Sequence, residues 1–286
     1  MSLLSVVWDI DITAQSSIIH RDDYSGAATI FTPFRREDVI SPTGKRVRVP
    51  MVSGGSFRGV LRRIGEGLTA AILNYETSLP TPAAHLLTNG GRLAKTTRPL
   101  TDEQERRLTD LLPQVAVFGG AASGRILSGL LAVDKVRPEV AELAHLLNRR
   151  PKGELPKALT VLGEETFTHL NDRRPHAGYP PAPDYDSATS PLGRYAVETL
   201  RAGTRLQTQA RLDNATAAQV AFFSDVLAAF ADHGHLGARS AAGHGRITAS
   251  ITRTVKRGKL SARRVDWAGD LAGRRDDALS ALTELA

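Results

Sequence analysis

The sequence contains no cysteine, few aromatic residues and no long apolar run, and each absence excludes a class of protein or site. Without cysteine, the chain has no disulfide framework, thiolate metal site or cysteine nucleophile. Aromatic residues are only 5% of the chain, so a surface that binds bases by stacking has few platforms. No apolar run approaches the roughly 20 residues of a membrane span, and residues 1–13 lack the features of a signal peptide. We therefore expect a cytoplasmic protein with no membrane partner.

Positive charge is the most informative property of the composition. The 37 lysines and arginines exceed the 30 acidic residues, which gives a formal charge of +7 and a pI near 10.0. Hydrophobic residues make up 41% of the chain, enough for an ordinary core. The excess charge favours a polyanionic partner, either nucleic acid or an anionic membrane surface. Because the basic residues cluster at turns and not along one helix face, nucleic acid is the better candidate.

The order of the patterns predicts one α+β domain with insertions. Residues 3–13 begin apolar and then alternate, which indicates a half-buried strand. Helices are expected at 56–74, from 101 to the residue before 113, at 139–148, at 216–232 and at 277–285. Strands are expected at 126–133 and 247–251, and at 195–200 paired with 206–212. The predicted insertions are a loop or hairpin at 14–48, a helical segment at 74–113, an arm at 163–198 and a C-terminal extension at 253–286.

Residues 49–63 join an extended segment to a helix through a Ser-Gly-Gly-Ser turn. The two glycines let the backbone approach a ligand closely, and Ser56 can cap the helix. Free N–H groups and the helix dipole favour a phosphate at such a helix start. On a helical wheel with Phe57 on the packed face, Arg58 and Arg62 point about 100 to 140° away and form a basic face. The competing interpretation is a purely structural turn before an amphipathic helix with solvated arginines.

Two further glycine turns carry arginines. Gly124-Arg125 precedes the strand at 126–133, and Gly243-His244-Gly245-Arg246 precedes the strand at 247–251. Three such turns in a basic chain predict an extended anion-binding track.

These turns resemble motifs of the CRISPR-associated RAMP proteins. The run from Val49 to Arg62 is similar to the glycine-rich signature of that family. Three regions follow in the order of the family: Val117-Phe118-Gly119 with Gly124-Arg125, the arm Asn171-Asp172-Arg173 leading to Tyr195–Glu198 and Gly203, and Gly237 through Arg246. The resemblance spans roughly residues 3–252 and is closest to the guide-RNA-binding backbone subunits of multisubunit CRISPR effectors, type IV before type III. One departure is Gly55, where the family more commonly has serine.

The resemblance implies an RRM-like (ferredoxin-like) palm with inserted helical segments and a β-hairpin thumb. It also implies a prokaryotic complex in which copies of the subunit form a helical array along one guide RNA. The other effector subunits and a target DNA or RNA paired with the guide are then further partners, and no cofactor or metal is expected. The residues expected to contact RNA are Ser53, Gly54, Gly55, Ser56, Arg58, Arg62, Arg125, Arg173, Arg174, Arg239, His244 and Arg246.

Two residues leave catalytic alternatives open. Type III relatives cut target RNA with an aspartate in the loop before the signature turn, which is where Asp38 lies. RAMP endoribonucleases that process guide precursors use a histidine as general base, and His244 is the candidate for that role. The other histidines lack a convincing metal-ligand spacing, and the phosphate-binding loop of nucleotide hydrolases is absent. The expectation is a non-catalytic subunit, with cleavage by Asp38 or His244 as the alternative.

Overall fold

The computed structural model of the 286-residue chain describes residues 3–22, 31–75, 78–93, 96, 98–151, 153–170, 192–261 and 265–285. Its strands are β1 (Leu4–Ala14), β2 (Phe31–Thr32), β3 (Arg36–Ile40), β4 (Arg46–Pro50), β5 (Gly120–Ala122), β6 (Arg125–Leu127), β7 (Leu131–Val133), β8 (Arg137–Pro138), β9 (Leu162–Leu170), β10 (Leu192–Leu200), β11 (Arg205–Ala215) and β12 (Ile247–Arg257). Its α-helices are α1 (Gly54–Leu73), α2 (Thr81–Asn89), α3 (Asp102–Leu111), α4 (Pro113–Phe118), α5 (Ala217–His233), α6 (Trp267–Gly273) and α7 (Arg275–Thr283).

An antiparallel sheet forms the centre of the fold. Its strands lie in the order β12, β1, β11, β7, and β8 pairs with β11 beyond the end of β7. Along the chain, α1 lies between β1 and β7, and α5 lies between β11 and β12. This β-α-β-β-α-β order, with the last strand beside the first, is that of a ferredoxin-like palm. The predicted α+β, RRM-like fold is therefore confirmed.

The core lies between one face of this sheet and the helices. Alternate side chains of β1 are buried, among them Trp8 and Ile10, as the sequence pattern predicted. Trp8 meets Phe223 of α5 edge to face at 5.0 Å, and α5 meets α1 through Phe230 and Phe57 at 5.4 Å. These contacts fix the position of α1, and therefore of the glycine turn before it, against the sheet.

The opposite face of the sheet is polar and carries an arginine bridge. Arg149 donates to Asp9 at 2.9 Å, to Asp11 at 2.5 Å and to the carbonyl oxygen of Ile10 at 3.0 Å. Gln209 of β11 donates to the same carboxylate of Asp9 at 2.9 Å. In RNA-binding RRM domains this face stacks bases on aromatic side chains. Here it presents two carboxylates that are already paired with an arginine, so it is a poor surface for RNA.

A two-stranded hairpin projects from the palm. Strands β9 and β10 pair antiparallel from Leu162–Leu200 to Leu170–Leu192, and β2 adds to β10 in parallel. Two backbone hydrogen bonds of 2.9 Å between Ile18 and Leu200 tie the hairpin to the segment after β1. We call β9 and β10 the thumb hairpin. Arg173 and Arg174, with the rest of the predicted arm between the strands, lie outside the described residues.

Two helices begin where the sequence predicted them, at residues 101 and 216. Thr101 caps α3 and Thr216 caps α5, each in a reciprocal capping box with the glutamine three residues later. The signature helix begins two residues earlier than predicted, because Ser53 and not Ser56 is its N-cap. Ser56 instead donates its backbone N–H to the Ser53 side chain at 3.2 Å.

Three other sequence predictions were wrong. Residues 195–200 and 206–212 do not pair with each other: β10 joins the thumb hairpin, while β11 joins the palm sheet. The region 126–133 contains two short strands, not one, and 139–148 contains only a 3-10 turn at Ala141–Leu143. The helix predicted at 277–285 is present as α7, and a second helix that was not predicted, α6, begins ten residues before residue 277. The boundaries of the four predicted insertions remain predictions.

Candidate nucleic-acid interface

The N-terminus of α1 presents backbone N–H groups to an open surface. The Ser53 side chain accepts from Ser56, and Phe57 donates to the Ser53 carbonyl at 3.0 Å. The N–H groups of Gly54 and Gly55 precede the first hydrogen bond within the helix and have no partner among the described residues. A Cβ atom added to Gly55 would meet nothing within 4 Å. The helix start is therefore accessible to an anion, as the turn predicted.

A histidine holds the segment after β1 against this helix start. The backbone N–H of Ser53 donates to Nε2 of His20 at 3.2 Å. Because Nε2 accepts a hydrogen bond, neutral His20 carries its proton on Nδ1. The ring also packs edge to face on Phe34 with centroids 6.0 Å apart. Residues 18–22 and the N-cap of α1 are thus fixed relative to each other.

Arg62 is buried and supports the fold. Its guanidinium donates to the carbonyl oxygens of Phe118 at 2.7 Å, Gly119 at 2.8 Å and Leu86 at 3.1 Å. The residue is only 8% exposed. Arg58 donates to the same Phe118 carbonyl at 2.8 Å. The prediction that these arginines form a solvated basic face of α1 was wrong, because that flank of the helix packs against the end of α4.

The environment of these two arginines explains how their charge is tolerated. Burial lowers the pKa of Arg62 to about 10, with the like charge of Arg58 as the second cause, and burial also lowers the pKa of Arg58. Arg62 therefore remains charged at neutral pH. Phe118 is the last residue of α4, so both guanidinium groups lie at the negative end of that helix. Their donors satisfy carbonyls that the helix leaves unpaired.

Arg125 is also engaged within the protein. Its guanidinium pairs with Asp102 and Glu105 of α3 at 2.6 Å each and donates to the carbonyl oxygen of Leu100 at 3.2 Å. These ion pairs raise the pKa of Arg125, chiefly through the hydrogen bond to Asp102. The side chain joins β6 to the start of α3 and carries no unbalanced charge for RNA.

A groove beside α1 carries two arginines that are not engaged within the described part of the protein. It has a volume of about 530 Å³ and is open to solvent. Arg21 and Arg63 are exposed at its walls and have no ion-pair or hydrogen-bond partner for their side chains among the described residues. Neither arginine is among the RNA contacts predicted from the sequence. The groove is lined by Ile19, His20, Arg21, Ser56, Gly59, Val60, Arg63, Thr88, Asn89, Gly237 and Ala238.

The third glycine turn forms one wall of this groove by running along the segment after β1. Ala238 donates to the carbonyl oxygen of Ile19 at 2.8 Å, and Gly245 donates to that of Ser17 at 2.8 Å. A Cβ atom on Gly237 would lie 2.1 Å from the Ile19 oxygen, and the residue has a φ of +83°. Glycine is therefore required there by both close approach and backbone conformation.

Two half-buried aromatic rings and an arginine meet where the thumb hairpin reaches this turn. Phe167 of β9 and Tyr195 of β10 are stacked with centroids 5.5 Å apart. The Arg239 guanidinium lies over Phe167 at 4.4 Å and over Tyr195 at 5.2 Å, and it donates to the Tyr195 hydroxyl. We call Phe167, Tyr195 and Arg239 the thumb-root cluster. Cation–π contacts of this kind stabilise the arginine in one orientation.

The family of this chain follows from comparison with known proteins. The model of the RAMP superfamily matches residues 17–248. The chain belongs to the RAMP superfamily. A solved chain described as "Type IV-B CRISPR Complex" is 51% identical to this RAMP protein, with a TM-score of 0.64 over 93% of this chain and 99% of that chain. None of the curated proteins that were compared matches. The predicted family and the preference for type IV over type III are confirmed.

His244 is buried beside the thumb-root cluster of this RAMP protein. Its Nδ1 lies 2.9 Å from the Ser17 hydroxyl and 3.6 Å from a carboxylate oxygen of Glu165, and its ring packs on the edge of Phe167. The side chain thus joins three segments of the chain, and only 8% of the residue is exposed. Arg246, in contrast, is exposed, and its backbone N–H donates to the Ser16 hydroxyl at 3.0 Å.

Asp38 lies on strand β3, not in a loop as predicted, and faces two arginines of β4. Arg46 contacts one of its carboxylate oxygens at 2.5 Å, and Arg48 contacts the other at 3.4 Å. These arginines lower the pKa of Asp38, chiefly through the hydrogen bond from Arg46. Its carboxylate is therefore ionised and occupied by partners from its own hairpin.

Every helix among the described residues is too short or too polar to span a bilayer. The same part of the chain contains no group of three or more histidine and acidic side chains that could hold a metal ion.

The neighbouring residues Arg62 and Arg63 allow a direct test of whether the buried arginine stabilises the fold and the exposed one does not. Replacing Arg62 with Ala should lower the free energy of unfolding by about 2–4 kcal/mol, because three carbonyl groups lose a charged donor. Replacing the exposed Arg63 with Ala should change it by less than about 0.5 kcal/mol. Denaturant unfolding of both variants measures the difference. Equal stability of the two variants would contradict the buried role of Arg62.

Proposed function

We propose that this chain is a guide-RNA-binding backbone subunit of a type IV CRISPR effector complex. The observation that carries the proposal is the groove beside the α1 N-terminus, whose walls carry two arginines without side-chain partners among the described residues. The similarity to a chain of a "Type IV-B CRISPR Complex" supports the assignment to that assembly.

The groove has the chemistry of a phosphate site. Arg21 and Arg63 supply positive charge at its walls. Gly54 and Gly55, which directly precede the groove residue Ser56, supply N–H donors at the positive end of the 20-residue helix α1. Contacts of this kind recognise the RNA backbone and carry no sequence information. A subunit that must accept any guide sequence needs this type of contact. In this proposal, Arg21 and Arg63 take the phosphate role that the sequence analysis gave to Arg58, Arg62 and Arg125.

The RNA path continues from the groove along the third glycine turn. Ala238 lines the groove, Arg239 follows it, and Arg246 lies where the turn meets residues 15 and 16. Because this turn runs beside the segment after β1, we take the path to lead from Arg63 past Arg239 to Arg246. In this proposal the path ends beside the thumb hairpin, which separates the guide bases into short segments. Arg173 and Arg174 would extend the contact from the arm.

The subunit is proposed to act without catalysis, as one of several copies along the guide and with other effector subunits. Asp38 is the residue that a type III-like cleavage mechanism would use, and its carboxylate is paired with Arg46 and Arg48. His244 is held by Ser17 and packs against Phe167, which suits a role in joining the thumb to the palm. Both arrangements favour a binding role over a nuclease role.

The first test is the composition of the purified protein. The protein expressed in cells that also carry a guide array should purify with RNA and elute as an assembly larger than a monomer. Ultraviolet absorbance ratio and size-exclusion chromatography with light scattering measure both properties. An RNA-free monomer that also fails to assemble when guide RNA is added would disprove the proposal.

The second test concerns the groove. Replacing Arg21 and Arg63 with Ala should weaken binding of all single-stranded RNA sequences alike and reduce the salt slope by about 0.7 for each phosphate that is no longer neutralised. Fluorescence anisotropy at several salt concentrations measures both effects. The matched control is Arg253→Ala with Lys256→Ala, which removes two exposed charges of β12 opposite the first half of β1, away from the end of β1 that leads to the groove. A weakening restricted to one RNA sequence, or an equal weakening in the control, would argue against the groove.

The third test concerns catalysis. An RNA complementary to the bound guide should remain intact after incubation of the assembled protein with divalent metal ions. Denaturing gel electrophoresis detects any product. Regularly spaced cleavage that disappears in Asp38→Ala would establish the type III-like alternative, and cleavage of the guide precursor that depends on His244 would establish the processing alternative.

A further inference from the structure

The thumb-root cluster holds one face of the Arg239 guanidinium against an aromatic ring. The guanidinium carbon lies 4.4 Å from the centre of Phe167, and the hydrogen bond to Tyr195 fixes the rotation of the group. A guanidinium is planar and can take another planar group on the side away from the ring. Arg239 is exposed, so its side chain can be reached from solvent.

The backbone at Arg239 is in an unfavourable conformation. Its φ of 62° and ψ of 37° lie in the left-handed region, which costs a residue other than glycine roughly 1 kcal/mol. Gly237 and Gly243, in the same turn, occupy positive φ without that cost. The presence of arginine at 239 therefore indicates that its side chain makes interactions whose benefit exceeds the cost of this backbone conformation.

We propose that Arg239 is a stacking platform for an unpaired base of the bound RNA. The inference rests on the RNA-binding function proposed above and changes the role of Arg239 from a phosphate contact to a base contact. Arginine planes stack on unpaired bases much as aromatic rings do. Ala238 lines the phosphate groove, so the base of a nucleotide bound there lies next to Arg239.

The composition of the chain supports this role for an arginine. With only 5% aromatic residues, the protein has few rings to offer to bases. The thumb-root cluster stacks two of them on each other, and its most exposed member is Arg239. Stacking on a plane accepts any base, so the platform is compatible with guides of any sequence.

The test compares Arg239→Lys with the wild-type protein on two ligands of equal length. One is a mixed-sequence single-stranded RNA, and the other is an oligomer of abasic ribose phosphate. Lysine keeps the charge but removes the plane. We expect Arg239→Lys to weaken binding of the RNA by roughly fivefold or more. Binding of the abasic oligomer and the salt slope should remain as in the wild-type protein.

Two further variants distinguish stacking from a general effect. Phe167→Leu removes the ring beneath the guanidinium and should lower the affinity for RNA but not for the abasic oligomer. Arg246→Lys changes an exposed arginine that has no ring beneath it among the described residues, and it should affect both ligands equally. If Arg239→Lys weakens binding of both ligands equally, or changes neither affinity, Arg239 is not a stacking platform. If the wild-type protein binds neither ligand, the RNA-binding proposal itself fails.

Discussion

The rest of the structure depends on the hydrogen bonds that the buried Arg62 guanidinium donates to three backbone carbonyl groups. A charged group away from water is stable only if its donors find acceptors, and the three carbonyls at the ends of α2 and α4 supply them. Gln114 of α4 donates back to the Arg62 carbonyl at 3.0 Å. Helix α1 is therefore locked in position and in rotation about its axis. That rotation decides which side chains of α1 face the groove.

The arginines consequently fall into two groups, those paired within the fold and those exposed to solvent. The ones that match family motifs most closely, Arg58, Arg62 and Arg125, hold helices and strands together. Three arginines whose side chains have no partners among the described residues, Arg21, Arg63 and Arg246, lie around the groove and the third glycine turn. In the proposed function, RNA contacts these charges directly, and basic residues elsewhere contribute mainly to the long-range field.

Features that depend on neighbouring residues were predicted from the sequence. Features that depend on contacts between distant segments were not. The alternation of β1 and the starts of α3 and α5 depend on neighbouring residues alone, and they were predicted correctly. On a helical wheel, Arg62 and Arg63 lie about 140° and 120° from Phe57 on opposite sides. No feature of the α1 sequence indicates which of these two flanks packs against α4. The helical wheel therefore could not show that Arg62 is buried and Arg63 is exposed.

The same limit applies to the strands and to the thumb-root cluster. Strands that are adjacent in sequence usually pair, and the short turn between 200 and 205 made that expectation reasonable. Here the chain leaves the thumb at Leu200 and enters the palm at Arg205. Phe167 lies 72 residues from Arg239, so their contact has no sequence signal beyond the presence of both residues.

The strand order of the palm does not by itself locate the proposed binding site. The palm has the strand order of an RRM domain, yet Arg149 is paired with Asp9 and Asp11 on the sheet face that such domains use for RNA. Arg21 and Arg63 lie instead at one end of the sheet, where β1 ends, α1 begins and the third glycine turn returns. Because loops of small residues can approach a backbone ligand closely, this end is better shaped for phosphates than a flat sheet face. In the proposed function, the palm therefore binds RNA at this end and not on the face of the sheet.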